Sequence, residues 1–256
     1  GRPDAGRAIL YRSAYHLARR LLPKDIWLVS DRINKADDNG EAFFRYLSEK
    51  KKHPHSFFVL RNDSPDYERV KAYGRLIPYH SRRHKLLQLV ADKIISSAGD
   101  DFVMNPFGGD RAFYWDILKR KRLIFLQHGI IKDDLSRWLG KPHRGLGMFV
   151  TSTQQEYESV LCGKYYGYSK DVVKLTGLPR YDYLENRPEQ IITIMPTWRN
   201  SLGLGHDTET GNRLYGAGFE DSSFFRFYDA LLNDEKLLDI RDDRVNWFFG
   251  LPAGRS

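Results

Sequence analysis

The chain has 256 residues, 41% of them hydrophobic and 14% aromatic, which is enough apolar side chain for a sizeable core in one or two domains and too much for global disorder. Forty-one Lys and Arg against 33 Asp and Glu leave a formal net charge of +8, which favours phosphate-bearing partners without choosing among nucleotides, anionic polymers, nucleic acid and an acidic bilayer surface. The single cysteine, Cys162, excludes a disulfide framework or a thiolate metal cluster within one chain and fits a cytoplasmic address; no apolar run approaches the about 18 residues of a spanning helix.

Leu10, Ala14, Leu17 and Leu21 fall at helical spacing, with Arg7, Arg12, Arg19, Arg20 and Lys24 on the remaining faces. Residues 1–24 are thus expected to form a basic amphipathic helix ended by Pro23. Such a helix either packs on its own domain or lies on an anionic lipid surface, here the inner face of the cell membrane.

From residue 25 the chain alternates short apolar runs with longer amphipathic stretches, the pattern of a parallel sheet flanked by helices. Strands are expected at Ile26–Ser30, Phe57–Leu60, Ile94–Ser97, Leu123–Gln127, Met148–Thr151 and Val172–Thr176. Helices are expected at Gly40–Lys51, Ser81–Ala91, Ala112–Arg120 and Gln154–Cys162, the last opened by the capping-box pair Thr153 and Glu156. The fold class is α/β: a doubly wound, Rossmann-like domain of about six strands over residues 25–188. In such sheets the ligand crevice lies beyond the carboxyl ends of the strands, so polar residues there are the first candidates for chemistry.

The polar stretch Glu185–Gln190 marks a boundary near residue 188. Residues 189–256 read as a second Rossmann-like unit with a strand at Ile191–Met195, a glycine-rich connection over Gly203–Gly218, a helix at Ser223–Leu232 and a strand at Val245–Phe249. A full domain of this kind needs about 100 residues, so the second unit is expected to be incomplete.

Three clusters carry candidate chemistry. In Phe125-Leu126-Gln127-His128-Gly129-Ile130-Ile131-Lys132-Asp133-Asp134 a buried strand ends on a histidine, which titrates near neutral pH and suits a general base. Gly129 would let substrate approach the backbone, Lys132 would neutralise phosphate, and Asp133 or Asp134 would orient the imidazole or cap the next helix. The structural alternative is that His128 only bonds a carbonyl at the strand end. In Leu175-Thr176-Gly177-Leu178-Pro179-Arg180-Tyr181-Asp182 a strand runs into a glycine and a proline turn. Arg180 can grip phosphate bidentately, or can join an Arg-Asp pair that merely holds the linker. In Ile194-Met195-Pro196-Thr197-Trp198-Arg199 the first strand of the second unit delivers Thr197 and Arg199 beyond its carboxyl end, unless Arg199 is simply a solvated loop residue.

In order and spacing these clusters resemble the CDP-glycerol glycerophosphotransferase family of teichoic acid and related capsule polymer synthesis. The family's tryptophan-histidine-glycine element stands here as Gln127-His128-Gly129, with Lys132 following. Gly177, Pro179, Arg180 and Asp182 match its glycine-x-proline-arginine-x-aspartate element. Pro196, Thr197 and Arg199 match its proline-threonine-x-arginine element, and Asp38-Asn39-Gly40 resembles its early asparagine-bearing segment.

The resemblance implies a GT-B architecture of two Rossmann-like domains, with His128 as the catalytic base on the acceptor side. Gly129, Lys132, Asp133, Arg180, Asp182, Thr197 and Arg199 would bind substrate or phosphate, with no metal and no bound cofactor. By that resemblance an acceptor hydroxyl, on a polyol-phosphate or lipid-linked glycan acceptor, attacks the β-phosphate of CDP-glycerol or a similar CDP-polyol and releases CMP; no nucleic acid is involved. The chain departs from the family in two respects. Gln127 replaces the tryptophan, which puts the polyol and acceptor in question, and the histidine-proline and aspartate-tyrosine-serine-serine elements of the second domain do not follow Asn200, which implies weak donor binding by this chain alone. Two rival readings are a GT-B nucleotide-sugar glycosyltransferase, distinguished by releasing a nucleoside diphosphate, and a non-catalytic basic binding module, whose affinity would collapse with salt and ignore His128.

Overall fold

A computed structural model describes residues 5–186, 191–194, 199–206, 213–235 and 246–249. The chain divides into two compact units, residues 1–184 and 185–256.

The first unit is built on seven strands: β1 Trp27–Ser30, β2 Ser56–Leu60, β3 Leu76–Pro78, β4 Lys93–Ser96, β5 Leu123–Phe125, β6 Leu146–Thr151 and β7 Val173–Leu175. They form one all-parallel sheet in the order β3-β2-β1-β4-β5-β6-β7. Both faces of the sheet are covered, so its strands are apolar throughout rather than alternating. Leu28, Phe57, Val59, Ile94, Phe125 and Phe149 pack into the larger core layer, and their alternates Val29, Phe58, Leu60, Ile95 and Val150 pack into the other. One strand more is present than the sequence suggested. β3 is a three-residue edge strand ending in Pro78, too short to stand out as an apolar run, and proline is tolerated at an edge.

The helices of this unit are α1 Ala5–Leu21, α2 Asn39–Tyr46, α3 Tyr67–Lys71, α4 Arg82–Val90, α5 Asp101–Met104, α6 Trp115–Leu118, α7 Ser136–Leu139 and α8 Gln154–Cys162. The stretch expected as one helix over Ala112–Arg120 is instead a 3-10 segment, Gly108–Tyr114, running into the single turn of α6. In α1 the apolar stripe is not the buried one. Ala8, Tyr11 and Ala18 face α4 and the Gly108–Tyr114 segment, with Tyr11 edge-on to Phe107 at 5.9 Å, whereas Leu10, Leu17 and Leu21 are 68%, 59% and 72% exposed. Two alanines let the helix backbone approach its neighbours, and Arg12 locks it there through Asp116 at 2.8 Å.

In the second unit β8 Ile191–Ile194 pairs in parallel with β11 Asn246–Phe249, and α9 Ser223–Leu232 is capped by the Ser222 hydroxyl, which accepts from the Phe225 amide at 3.1 Å. The glycine-rich connection is more ordered than expected, because β9 Gly203–His206 and β10 Arg213–Tyr215 pair antiparallel within it.

Candidate functional site

The sheet order reverses at β1, which lies between β2 and β4. Beyond the carboxyl ends of strands at such a switch point, doubly wound proteins bind their ligands. Here that position is occupied by the residues following β1, β4 and β5: Asp31, Ser97 and the run Gln127-His128.

Asp31 organises the segment before α2. One carboxylate oxygen accepts from the Gly40 amide at 2.8 Å and the Ser97 hydroxyl at 2.6 Å, and the other from the amides of Glu41 at 3.0 Å and Asp38 at 3.3 Å. Burial raises its pKa from the usual 3.8 to about 6. The Ser97 hydroxyl opposes that shift, the charge of Asp38 adds to it, and the backbone amides oppose it. Gly40 has no room for a side chain: a Cβ would stand 2.4 Å from both Asp31 Oδ1 and the Ser30 carbonyl. This glycine is what allows the carboxylate to reach the start of the helix.

Asn39, fully buried, joins two distant pieces of chain. Its Nδ2 donates to the Gln127 carbonyl at 2.6 Å and its Oδ1 accepts from the Arg180 amide at 3.1 Å. Its neighbour Asp38 caps α2 and pairs with Arg180, Nη1 to Oδ1, at 2.7 Å. The predicted base and the predicted phosphate-binding arginine are thereby tied to one asparagine.

His128 follows directly on Gln127, whose φ of 64° lies in the left-handed region that non-glycine residues seldom occupy. Gln127 is held there by burial and by donation from its Nε2 to Glu156 at 3.3 Å. Glu156 also accepts from the Ile131 amide at 2.8 Å and the Ser152 amide at 2.7 Å. The expected cap of α8 is present, with Thr153 accepting from the Glu156 amide at 3.2 Å, but the Glu156 carboxylate also braces the loop that carries His128. His128 itself is exposed, and its Nδ1 lies 3.3 Å from the Ser97 carbonyl. A carbonyl only accepts, so Nδ1 carries the hydrogen, and in the neutral ring the lone pair is on Nε2.

The other expected site residues are placed as follows. A Cβ at Gly129 would meet nothing within 4 Å, so there is open space beside this backbone. Lys132 and Asp133 are exposed on the loop after β5, with no hydrogen bond or ion pair to any described residue. Asp134 accepts from the Ser136 amide at 2.8 Å just before α7. Asp182 is exposed on the 3-10 turn Pro179–Tyr183. A cavity of about 320 Å³ opens at Asp38 and Arg180, and beside it a groove of about 710 Å³ is lined by Phe43, Tyr46, Tyr181 and Tyr183. In the second unit Arg199 is exposed with its guanidinium 4.9 Å from the Phe224 ring centre, and Thr197 lies outside the described residues. Asp31, Ser97 and Glu156 are additions that sequence reasoning missed. Asp31 and Ser97 sit at or directly after strand ends, the place where such residues were to be sought.

A sheet of this order with its polar residues gathered at the switch point defines a doubly wound α/β protein. A histidine-to-alanine variant of the wall teichoic acid polymerase TagF aligns with a TM-score of 0.51 at 15% identity, over 79% of this chain and 56% of that one, which shows the GT-B-like fold class. A second TagF structure, soaked with CDPG, gives a TM-score of 0.48 at 14% identity, over 75% and 53% of the two chains. The minor teichoic acid biosynthesis protein GgaB of Bacillus subtilis (strain 168) is 41% identical over 235 residues, 91% of this chain. The chain spans about a quarter of GgaB, 26% of its length. The family model for CDP-glycerol:poly(glycerophosphate) glycerophosphotransferase matches residues 9–246, and the chain belongs to that family.

Proposed function

We propose that this chain carries the acceptor-side base of a polyol-phosphate transferase, moving glycerol phosphate or a related polyol phosphate from a CDP-activated donor to a hydroxyl of a cell-wall or capsule polymer, or of its lipid-linked primer. The observation that carries the reading is His128, exposed at a strand end with Nδ1 on the Ser97 carbonyl and Nε2 free. Family membership supplies the donor class, and the names of GgaB and TagF support the polymer.

In the reaction the acceptor oxygen bonds to the β-phosphorus of the donor and its proton passes to His128 Nε2. The bond from that phosphorus to the oxygen bridging the two phosphates breaks, and CMP leaves with the electron pair. Catalysis then rests on positioning, the base and electrostatic stabilisation of the transferring phosphoryl group. Arg180 and Lys132 bring positive charge on this unit and Arg199 on the second, where Thr197 adds a hydroxyl donor; Gly129, Asp133 and Asp182 contribute backbone access and polar contacts. Asn39 positions both the base and Arg180 without touching substrate.

The test is CMP release from CDP-glycerol with a polyol-phosphate or lipid-linked acceptor, by this chain and by a version extended to the length of its relatives. Release that disappears in His128→Ala supports the reading; release of a nucleoside diphosphate from a nucleotide sugar instead would replace it with sugar transfer.

We also infer a peripheral position on the inner face of the cell membrane. The exposed Leu10, Leu17 and Leu21, with Arg19 and Arg20 on the same helix, support it, and no described helix is long and apolar enough to cross a membrane. Flotation with anionic liposomes at low salt tests this, and a protein that stays unbound refutes it.

A further inference from the structure

The end of the sheet opposite His128 has no part in the transfer step, yet it holds a cavity of about 600 Å³ at the amino-terminal ends of β4, β5 and β6. Its described lining contains Arg19, Lys93, Arg120, Lys121 and Arg122 against one carboxylate, Asp92. Asp92 is paired with Lys93 at 3.1 Å, which leaves four cations in excess. None of those four forms an ion pair with a described carboxylate.

Two of them are aimed by neutral partners. Arg19 donates from Nη1 to the Tyr15 hydroxyl at 3.2 Å and lies 5.5 Å from that ring centre. The partly buried Lys121 donates one N–H to the Ala91 carbonyl, and an ammonium has three to give. Ile124 of β5 and Met148 of β6 also line the cavity. Like charges gathered in a cavity repel one another and raise the local concentration of anions. The volume lies within the range of about 300–1,000 Å³ that buries a sizeable organic ligand, more than a bare phosphate fills.

We propose that this cavity binds the phosphodiester backbone of a polyol-phosphate polymer, holding product or acceptor chain at a point away from the crevice. Its assignment to the polymer rests on the transfer proposed above; the affinity for a phosphodiester rests on the cavity alone. A phospholipid headgroup offers the same chemistry but fits the geometry less well. Arg19 stands nine residues from Leu10, about 180° around a helix with 3.6 residues per turn, so the exposed apolar stripe of α1 and the cavity lie on opposite flanks of that helix.

The test is calorimetric titration of the chain with glycerol-phosphate oligomers of several units, with phosphatidylglycerol vesicles as a separate arm. Oligomer affinity is expected to fall at least tenfold in Arg120→Glu/Arg122→Glu, and measurably in Arg19→Ala, with melting temperature unchanged. In Lys71→Glu, an exposed cation of α3 that lines neither site, it is expected to persist. Oligomer affinity equal to wild type in the cavity variants overturns the proposal, as does binding through these residues to vesicles but not to oligomers. CDP-glycerol turnover is measured separately: its absence refutes the transferase reading while the oligomer titration still decides the cavity.

Discussion

The two ends of the seven-stranded sheet treat charge in opposite ways. At the carboxyl end each buried ionised group is answered several times over: Asp31 by three amides and a hydroxyl, Glu156 by two amides, a hydroxyl and an amide side chain. Among the exposed groups there is an imidazole bonded through one nitrogen only. At the amino end four cations converge on a cavity and none is ion-paired with a described carboxylate. The first arrangement fixes atoms to within hydrogen-bond geometry, which a proton transfer requires. The second gives attraction without a fixed pose, which suits a long repetitive anion better than a reacting one.

The comparison can be broken most severely at His128. His128→Ala is expected to lower kcat/KM for CMP release by about 10²–10⁴-fold, while the urea midpoint changes by no more than about 0.5 kcal/mol equivalent because the side chain is exposed. An equal loss of stability would mean that the imidazole is a structural peg.

Asp31 comes next. Its folded pKa of about 6 lies above the usual 3.8, so the unfolded chain ionises more readily. The resulting penalty on the folded state is absent below about pH 4, grows between about 4 and 6 and is complete above, at about 3 kcal/mol. Asp31→Asn removes this titration. Between pH 7 and pH 4 wild type should therefore gain up to about 3 kcal/mol relative to the variant in urea unfolding, and parallel curves would show that Asp31 is ionised without strain.

Gly40→Ala forces a methyl group against backbone and is expected to cost about 2 kcal/mol, read as a lower melting temperature together with reduced turnover. The smallest effect sharpens the contrast within α1: Leu17→Ser and Leu21→Ser should each shift stability by less than about 0.5 kcal/mol, since neither residue is buried. A larger shift would show that the stripe is covered in solution.

The strands buried on both faces were legible because a parallel sheet writes them as continuous apolar runs; β3 was not, being three residues at an edge. The helix at α1 was legible from spacing, but its buried face was not. Spacing ranks faces by hydrophobicity, whereas packing selected Ala8 and Ala18 for their small size and Tyr11 for its fit against Phe107 and Tyr114. His128 and Arg180 could be picked from strand ends followed by glycine or a glycine-proline turn. What joins them could not, because Asn39 meets Gln127 across 88 residues and Arg180 across 141, and no local pattern encodes partners so far apart. Glu156 was visible only as half of a helix cap, a role that says nothing of the loop it also supports.

The bond between Asn39 and the Arg180 amide closes a loop of 141 residues. Contacts of such long sequence separation form late, since the entropy of closing the loop must be met before the contact returns anything. β2 to β7 all lie inside that loop, so the loop carrying His128 and the Arg180 segment are both tied to Asn39 only when the sheet is essentially complete. During synthesis the ribosome must therefore release residue 180 before any copy of the protein can align the two, and recovery of this joint after denaturation is a clock for the last step of folding rather than the first.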